Sequence, residues 1–421
     1  MPTSLSPYNG LLIWAVAAAA TVGVITRPFR LPEAFWAVAG ALLLCVTGLL
    51  AVPDALAAVA RGYDVYLFLG GMMLAAELAR KTGLFDHVAA LAVRSARGSA
   101  RRLFVLVYGI GTLVTVFMSN DATAVVLTPA VLAATRAARV RHPLPYLYSC
   151  AFIANAASFV LPVSNPANLV VFGEHMPTLA GWLARFALPS VLAIAATFAA
   201  LYWTQRHALA ERIATEVPVP PLSPEARLTA AGIVVMGVVL LAASLLGADL
   251  GWPTCLAGVA TLALVCARRP ALCMPALREI SWGVLPLVAG LFVLVAGLEK
   301  TGVIAQLAAT MQALARHAPA AGTWLPGAVV ALAANVVNNL PAGLIASSAL
   351  AAGHAGTGVA SAVLIGIDLG PNLSVTGSLA TLLWLTALRR EGQNVGAGQF
   401  LRLGALVMPV ALVPALACLL W

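Results

Sequence analysis

Charge is what this sequence has least of. Only 9% of its 421 residues are Asp, Glu, Lys or Arg, while 62% are hydrophobic, and the mean hydropathy is +0.97. That balance excludes an ordinary soluble protein. Apolar runs of helix length recur from end to end, and the longest interruption, about 204–227 with its proline-rich VPVPPLSPE, is too short for a soluble domain. The chain reads as a polytopic membrane protein. Cysteine is sparse too: Cys45, Cys150, Cys255, Cys266, Cys273 and Cys418 are scattered, with no C-x-x-C pair and no neighbouring His cluster. This excludes a disulfide framework and a structural metal. H-E-x-x-H, G-x-S-x-G and P-loop motifs are missing, so neither an enzyme activity nor a cofactor is expected. The net charge of +9 does not signal nucleic acid, because the basic residues lie between apolar runs without interleaved aromatics. The first apolar run, roughly 11–26, has no basic leader and no A-x-A-like cleavage site, and reads as a retained span.

What the chain does contain is an internal repeat. LARKTGLFDHVAALA (78–92) is echoed by GLEKTGVIAQLAA (297–309), which sets Lys81-Thr82-Gly83 against Lys300-Thr301-Gly302 at an offset of 219. The same offset carries Asn120 onto Asn339. Further along, IANAASFVLPVSNPANLVVF (153–172) runs parallel to IGIDLGPNLSVTGSLATLLW (365–384), with the second copy displaced by a gap of seven.

The run 102–135 is too long for one span and carries Ser119, Asn120 and Asp121 in its middle. Both of its ends are basic, with Arg94, Arg97, Arg101 and Arg102 before it and Arg136, Arg139 and Arg141 after it. Because Lys and Arg flank cytoplasmic ends, the run reads as a re-entrant hairpin entering and leaving on the cytoplasmic side. The spans 11–26, 32–52, 64–79, 144–172 and 180–203 then cross, and an odd number of crossings turns the second half upside down. The expected fold is an all-α polytopic membrane protein built as an inverted repeat of two five-span halves, each with a hairpin and a broken helix. The halves are 1–203 and 228–421, the linker 204–227 is cytoplasmic, and the second hairpin, 322–353, enters from outside. Of the 24 Lys and Arg residues, only Arg61, Arg185, Lys300 and Arg316 then lie away from the cytoplasm. Both termini come out extracytoplasmic.

Polar residues gather at four broken places: the hairpin tips 119–121 and 338–340, and the interrupted spans VSNPAN (163–168) and DLGPNLSVTGS (368–378). Interrupted helices leave free N–H and C=O groups that lipid cannot satisfy, so they face a polar cavity or one another. Single Asn, Ser or Thr residues in membrane helices commonly serve packing, but recurrence at matched places in both halves points to a midplane site. The candidate substrate-binding residues are Ser119, Asn120, Asn165, Asn168, Asn338, Asn339, Ser374, Thr376, Gly377 and Ser378. Asp121 and Asp368 are the candidate proton-coupling residues, since a carboxylate deep in a bilayer is costly unless protonated, paired or hydrated. Glu77, three residues before Arg80, reads as one arm of an interfacial salt bridge, with Glu299 as its mirror outside. Asp64, Asp249 and Glu174 sit at span ends, and His87 is the one histidine to watch.

SNDATAVVLTP, AFIANAASFVLPVSNPAN, VNNLPAGLI and above all IDLGPNLSVTGSLATLLWL resemble the ArsB family of arsenite efflux permeases, within the ion transporter superfamily. The similarity covers nearly the whole chain. It implies export of arsenite or antimonite as neutral trihydroxides driven by protons, in a bacterial inner membrane, sometimes with a soluble ATPase on the cytoplasmic face. A homodimer is the expected oligomer. The sequence departs from the family pattern where Asn155 replaces an acid, Ile367 a Cys and Asn372 a base. A neutral trihydroxide calls for hydrogen-bond donors and acceptors without strong charge, and no Lys or Arg lies in any of the four broken segments. Two alternatives stand beside this reading: a sodium/proton antiporter or sodium-coupled anion carrier of the same superfamily, and a membrane anchor for a soluble ATPase.

Overall fold

The computed structural model describes residues 7–173, 176–215 and 217–420, so Glu174 lies outside the described residues. In the first half, α1 (Pro7–Thr26), α2 (Glu33–Val46), the short α3 (Val52–Arg61) and α4 (Tyr63–Lys81) precede α5 (Leu84–Ala96) and α6 (Ala100–Phe117). The chain then turns back through α7 (Asn120–Ala122), a π-helical turn at Thr123–Leu127 and α8 (Thr128–Ala137). A broken span follows, α9 (Leu144–Ala156) and α10 (Pro166–Phe172), and the long α11 (Leu179–Gln205) closes the half. The second half repeats the order: α12 (Pro224–Leu245), α13 (Gly251–Arg268), α14 (Cys273–Glu279), α15 (Val284–Lys300), α16 (Val303–His317), α17 (Pro319–Val337), α18 (Asn339–Ala352), α19 (Thr357–Leu369), α20 (Leu379–Arg390) and α21 (Ala397–Ala417). Among the described residues eight helices are long and apolar enough to cross a membrane. This is an all-α multi-pass membrane protein.

The motif that announces the repeat has a local cause. Lys81 and Lys300 each end a helix, and the following glycines, Gly83 at φ 75° and Gly302 at φ 82°, take the left-handed conformation that stops it. Thr82 and Thr301 turn their hydroxyls back onto the carbonyls of Leu78 and Leu298, at 2.8 and 2.7 Å. Lys-Thr-Gly is thus a helix stop used twice.

The run 102–135 is occupied by α6, α7 and α8, and 322–353 by α17 and α18. The π-helical turn beside the first tip has its reason in Pro129, which has no N–H to donate to the carbonyl four residues back. The broken spans differ by one residue from the expected register. Ala156 and Leu369 end their first arms, and Asn165 and Ser378 cap their second arms, so the copies run 213 residues apart, a gap of six rather than seven. Asn155, not Ala156, therefore stands opposite Asp368. The slip arises because only helix ends, which the low identity hides, fix the register inside an irregular break.

The two halves interlock reciprocally. The second arm of each broken span packs on the other half's returning hairpin arm and broken span: α10 on α18 and α19, α20 on α8 and α9. Small residues let the backbones close up. A Cβ on Gly366 would sit 2.0 Å from the Gly327 carbonyl oxygen, and one on Gly370 would sit 2.3 Å from that of Ala331, so α17 and α19 pack backbone to backbone.

Candidate functional site

Four helices begin near the middle of the molecule, α7, α10, α18 and α20, and each is preceded by a polar cap. Ser119 Oγ accepts from Ala122 N, Asn165 Oδ1 from Ala167 N, Asn338 Oδ1 from Leu340 N and Ser378 Oγ from Ala380 N. These caps satisfy N–H groups that lipid would leave stranded. Asn338 holds φ 75° and ψ 153°, a conformation of high cost for a non-glycine residue, at the tip of the second hairpin.

That tip is stitched to the second break. Asn339 N donates to Gly377 O at 2.8 Å and Asn338 Nδ2 to Thr376 O at 3.1 Å. Asn335, one turn earlier and absent from the sequence-based candidates, joins the same seam. Its Nδ2 donates to Gly370 O at 2.9 Å, Ser374 Oγ donates to its Oδ1 at 2.7 Å, and Thr376 Oγ1 donates to its backbone oxygen at 2.8 Å. Gly377 is confined by this seam, since a Cβ there would lie 2.7 Å from Asn335 Oδ1 and 2.6 Å from Pro371 Cα. Asn168 has a similar role in the first break, its amide donating to the carbonyls of Ser158, Leu161 and Pro162. Ser164, also missed from the sequence, bonds Val116 O on the first hairpin at 2.9 Å.

Polar contacts between the halves include two from the broken spans. Asn165 Nδ2 donates to Asp368 Oδ1 at 2.6 Å, and among the described residues the other carboxyl oxygen of Asp368 is buried without a hydrogen bond of good geometry, with Ser158 nearby. Asn155 Nδ2 donates to Asn372 Oδ1 at 3.0 Å, while Asn372 Nδ2 donates to Phe152 O. Two of the three departures from the family pattern, Asn155 and Asn372, therefore face each other. An acid and a base at these places would meet as an ion pair, and here two amides meet, which keeps a hydrogen bond and removes both charges.

After capping and stitching, little polar capacity is left over. The side chain of Asn339 and the amide nitrogen of Asn120 make no hydrogen bond within the described residues, and neither does the Asp121 carboxylate. Ser119 and Asp121 line a cavity of about 80 Å³ whose walls include Phe68, Met72, Val125, Pro166 and Leu383, and which extends to Glu77, Glu279 and Ser281. This volume holds several waters. Glu77 is buried and held by Arg80 at 2.5 and 3.0 Å, the salt bridge expected for it. Glu279 of α14 is bound by Arg80 and Lys81. Three carboxylates line the cavity, then, and only Asp121 has no cation beside it. Neither Arg80 nor Lys81 is among the lining residues. His87 has no part in the site: its Nδ1 lies 2.7 Å from Pro220 O and ties the linker to α5.

Known proteins agree with this architecture. The family model described as a citrate transporter matches residues 13–388. The arsenical pump membrane protein of Escherichia coli K12 is 28% identical over 97% of this chain and 98% of the relative. That of Yersinia enterocolitica is 28% identical over 80% and 82%. Among solved structures, the YdaH transporter of Alcanivorax borkumensis aligns with a TM-score of 0.56 at 16% identity, covering 98% of both chains. MtrF of Neisseria gonorrhoeae, described as one of a class of antimetabolite efflux pumps, aligns at 0.54 and 13% identity, covering 99% of this chain and 95% of its own. These two show the fold, and the sequence relatives bear out the resemblance to arsenical pumps. The chain belongs to the citrate transporter family and is a multi-pass membrane transporter.

Proposed function

We propose that this chain exports arsenite or antimonite as neutral trihydroxides in exchange for protons, with Asp121 and Asp368 as the proton-exchanging groups. The observation that carries this reading is the lining of the Asp121 cavity, which offers one carboxylate without a cation, two already paired at Glu77 and Glu279, two serine hydroxyls and apolar walls, but no Lys or Arg. A polyanion such as citrate has no positive group to meet there, whereas a neutral cargo bearing hydroxyls needs only donors and acceptors. The names of the sequence relatives support the same cargo.

A neutral cargo does not feel the membrane potential, so coupling to a proton gradient needs a group in the site that changes charge as cargo and proton exchange. Supporting this role, Asp121 lines the cavity and Asp368 lies at the junction of the halves, bonded to Asn165. In the proposed cycle Ser119, Asn120 and Asn339 face the cargo, Asn165 links the Asp368 carboxylate to the first half, and Asn168, Asn338, Ser374, Thr376, Gly377 and Ser378 hold the breaks open. The two halves lie in opposite senses in the membrane, as the odd number of crossings requires, so the site is reached from either side in turn.

Growth of an efflux-deficient strain carrying or lacking the gene tests the cargo, on arsenite, antimonite, high sodium and citrate as sole carbon source. The reading expects resistance to both metalloids and no gain on sodium or citrate. Growth on citrate without metalloid resistance would overturn it.

A further inference from the structure

The two halves differ sharply at one matched place. In the first half the groove between α5, the end of α8 and the start of α9 is filled by the chain's own linker. Ile213 N donates to Gly98 O at 3.1 Å, Ala214 N donates to Ala138 O at 2.9 Å, and Ile213 is buried, as are Leu209 and Val217 elsewhere on the linker. In the second half the equivalent groove, between α16, the end of α18 and the start of α19, holds no such segment among the described residues. It is an open cavity of about 330 Å³, larger than the one at Asp121.

The walls of this groove are of two kinds. Ala308, Met311, Ala349 and Val359 are apolar or small, and Arg316, His354 and Gln312 bring polar groups to the same space. Gln312 Nε2 is committed to Gly353 O at 2.9 Å. No Asp or Glu lines the cavity, and Arg316 has no ion-pair partner among the described residues. Of the other cations in the expected extracytoplasmic set, Arg61 faces Glu299 at 3.6 Å and Lys300 bonds Asp54 at 2.5 Å, while Arg185, like Arg316, has no ion-pair partner among the described residues. Since α16 joins the end of a span to the start of a re-entrant hairpin, the groove lies at the membrane boundary. An uncompensated guanidinium and an imidazole over an apolar floor, at that depth, match a phosphodiester with a hydrocarbon chain attached.

We propose that this groove binds the phosphate-bearing headgroup of an anionic phospholipid, with Arg316 and His354 on the phosphate and Met311 and Val359 against the first part of the acyl chain. The lipid does for the second half what the linker does for the first, holding the returning arm α18 against α16. The claim does not depend on which cargo is carried.

The test uses the full chain purified in detergent and follows its thermal unfolding midpoint on titration with phosphatidylglycerol, phosphatidylcholine of the same chain length, or inorganic phosphate. Phosphatidylglycerol is expected to raise the midpoint, with an apparent affinity about fivefold weaker in Arg316→Gln and the response lost in Arg316→Gln/His354→Gln. Ala315→Glu, which sets a carboxylate on an exposed position of the same wall, is expected to abolish the response with the cations intact. An equal response to phosphatidylcholine would show an unspecific amphiphile effect, and an equal response to inorganic phosphate would show a free-anion site. Either result, or an undiminished response in the double variant, would overturn the proposal.

Discussion

Asn165 does two jobs that a double-mutant cycle can separate. Its Oδ1 caps α10 through Ala167 N at 3.0 Å, and its Nδ2 donates to Asp368 at 2.6 Å across the junction of the halves. Asn165→Ala removes both. The lost cap costs about 0.5–2 kcal/mol. The lost bond to a carboxylate costs about 1.5–3 kcal/mol, against about 1 kcal/mol when the acceptor is a neutral amide, as in Asp368→Asn. In the cycle of Asn165→Ala with Asp368→Asn the cap contribution occurs on both edges and cancels. What remains is a coupling of about 0.5–2 kcal/mol, the middle to the top of the range for hydrogen bonds between membrane helices. The assay is denaturant or thermal unfolding of the four purified proteins in one detergent. Additivity within about 0.3 kcal/mol would refute the view that this bond joins the halves.

Asn120→Ala and Asn339→Ala are each expected to abolish metalloid efflux with normal membrane insertion, because both have side-chain capacity that no protein group uses; wild-type transport by either would reassign that Asn to packing. A variant lacking all six cysteines is expected to keep most of its transport, since none lines the Asp121 cavity; a folded, inactive cysteine-free protein would implicate thiol ligation. A reporter fused after Arg212 is expected to register cytoplasm and one at the C-terminus the extracytoplasmic side, and the reverse at either point would contradict the inverted arrangement.

Some of this site could be read from the sequence because its signals are local. Basic flanks around a run too long for one span gave the first hairpin, and the repeated Lys-Thr-Gly stop gave the offset of the second. Breaks marked by Pro, Gly and Asn gave the places where helices begin at the centre. The partners across the molecule were another matter. Asn155 and Asn372 stand out in the sequence as departures from the family pattern, yet nothing in their spacing shows that they meet across 217 positions. Asn335 looks like an ordinary polar residue on a hairpin arm, and its importance comes from Gly370 and Ser374, which a different span supplies. The open groove at Arg316 was hidden for the opposite reason, since it is defined by space that no described residue fills.

The central claim is that Asp121 carries the proton. Everted membrane vesicles containing wild-type or Asp121→Asn protein can be loaded with arsenite under an imposed pH gradient, and beside this without a gradient as simple exchange. The account predicts that Asp121→Asn loses gradient-driven accumulation while retaining part of the downhill exchange, because an amide keeps a polar group on the cavity wall but cannot change charge. Full gradient-driven accumulation by the Asp121→Asn protein would contradict it and send the proton by another route.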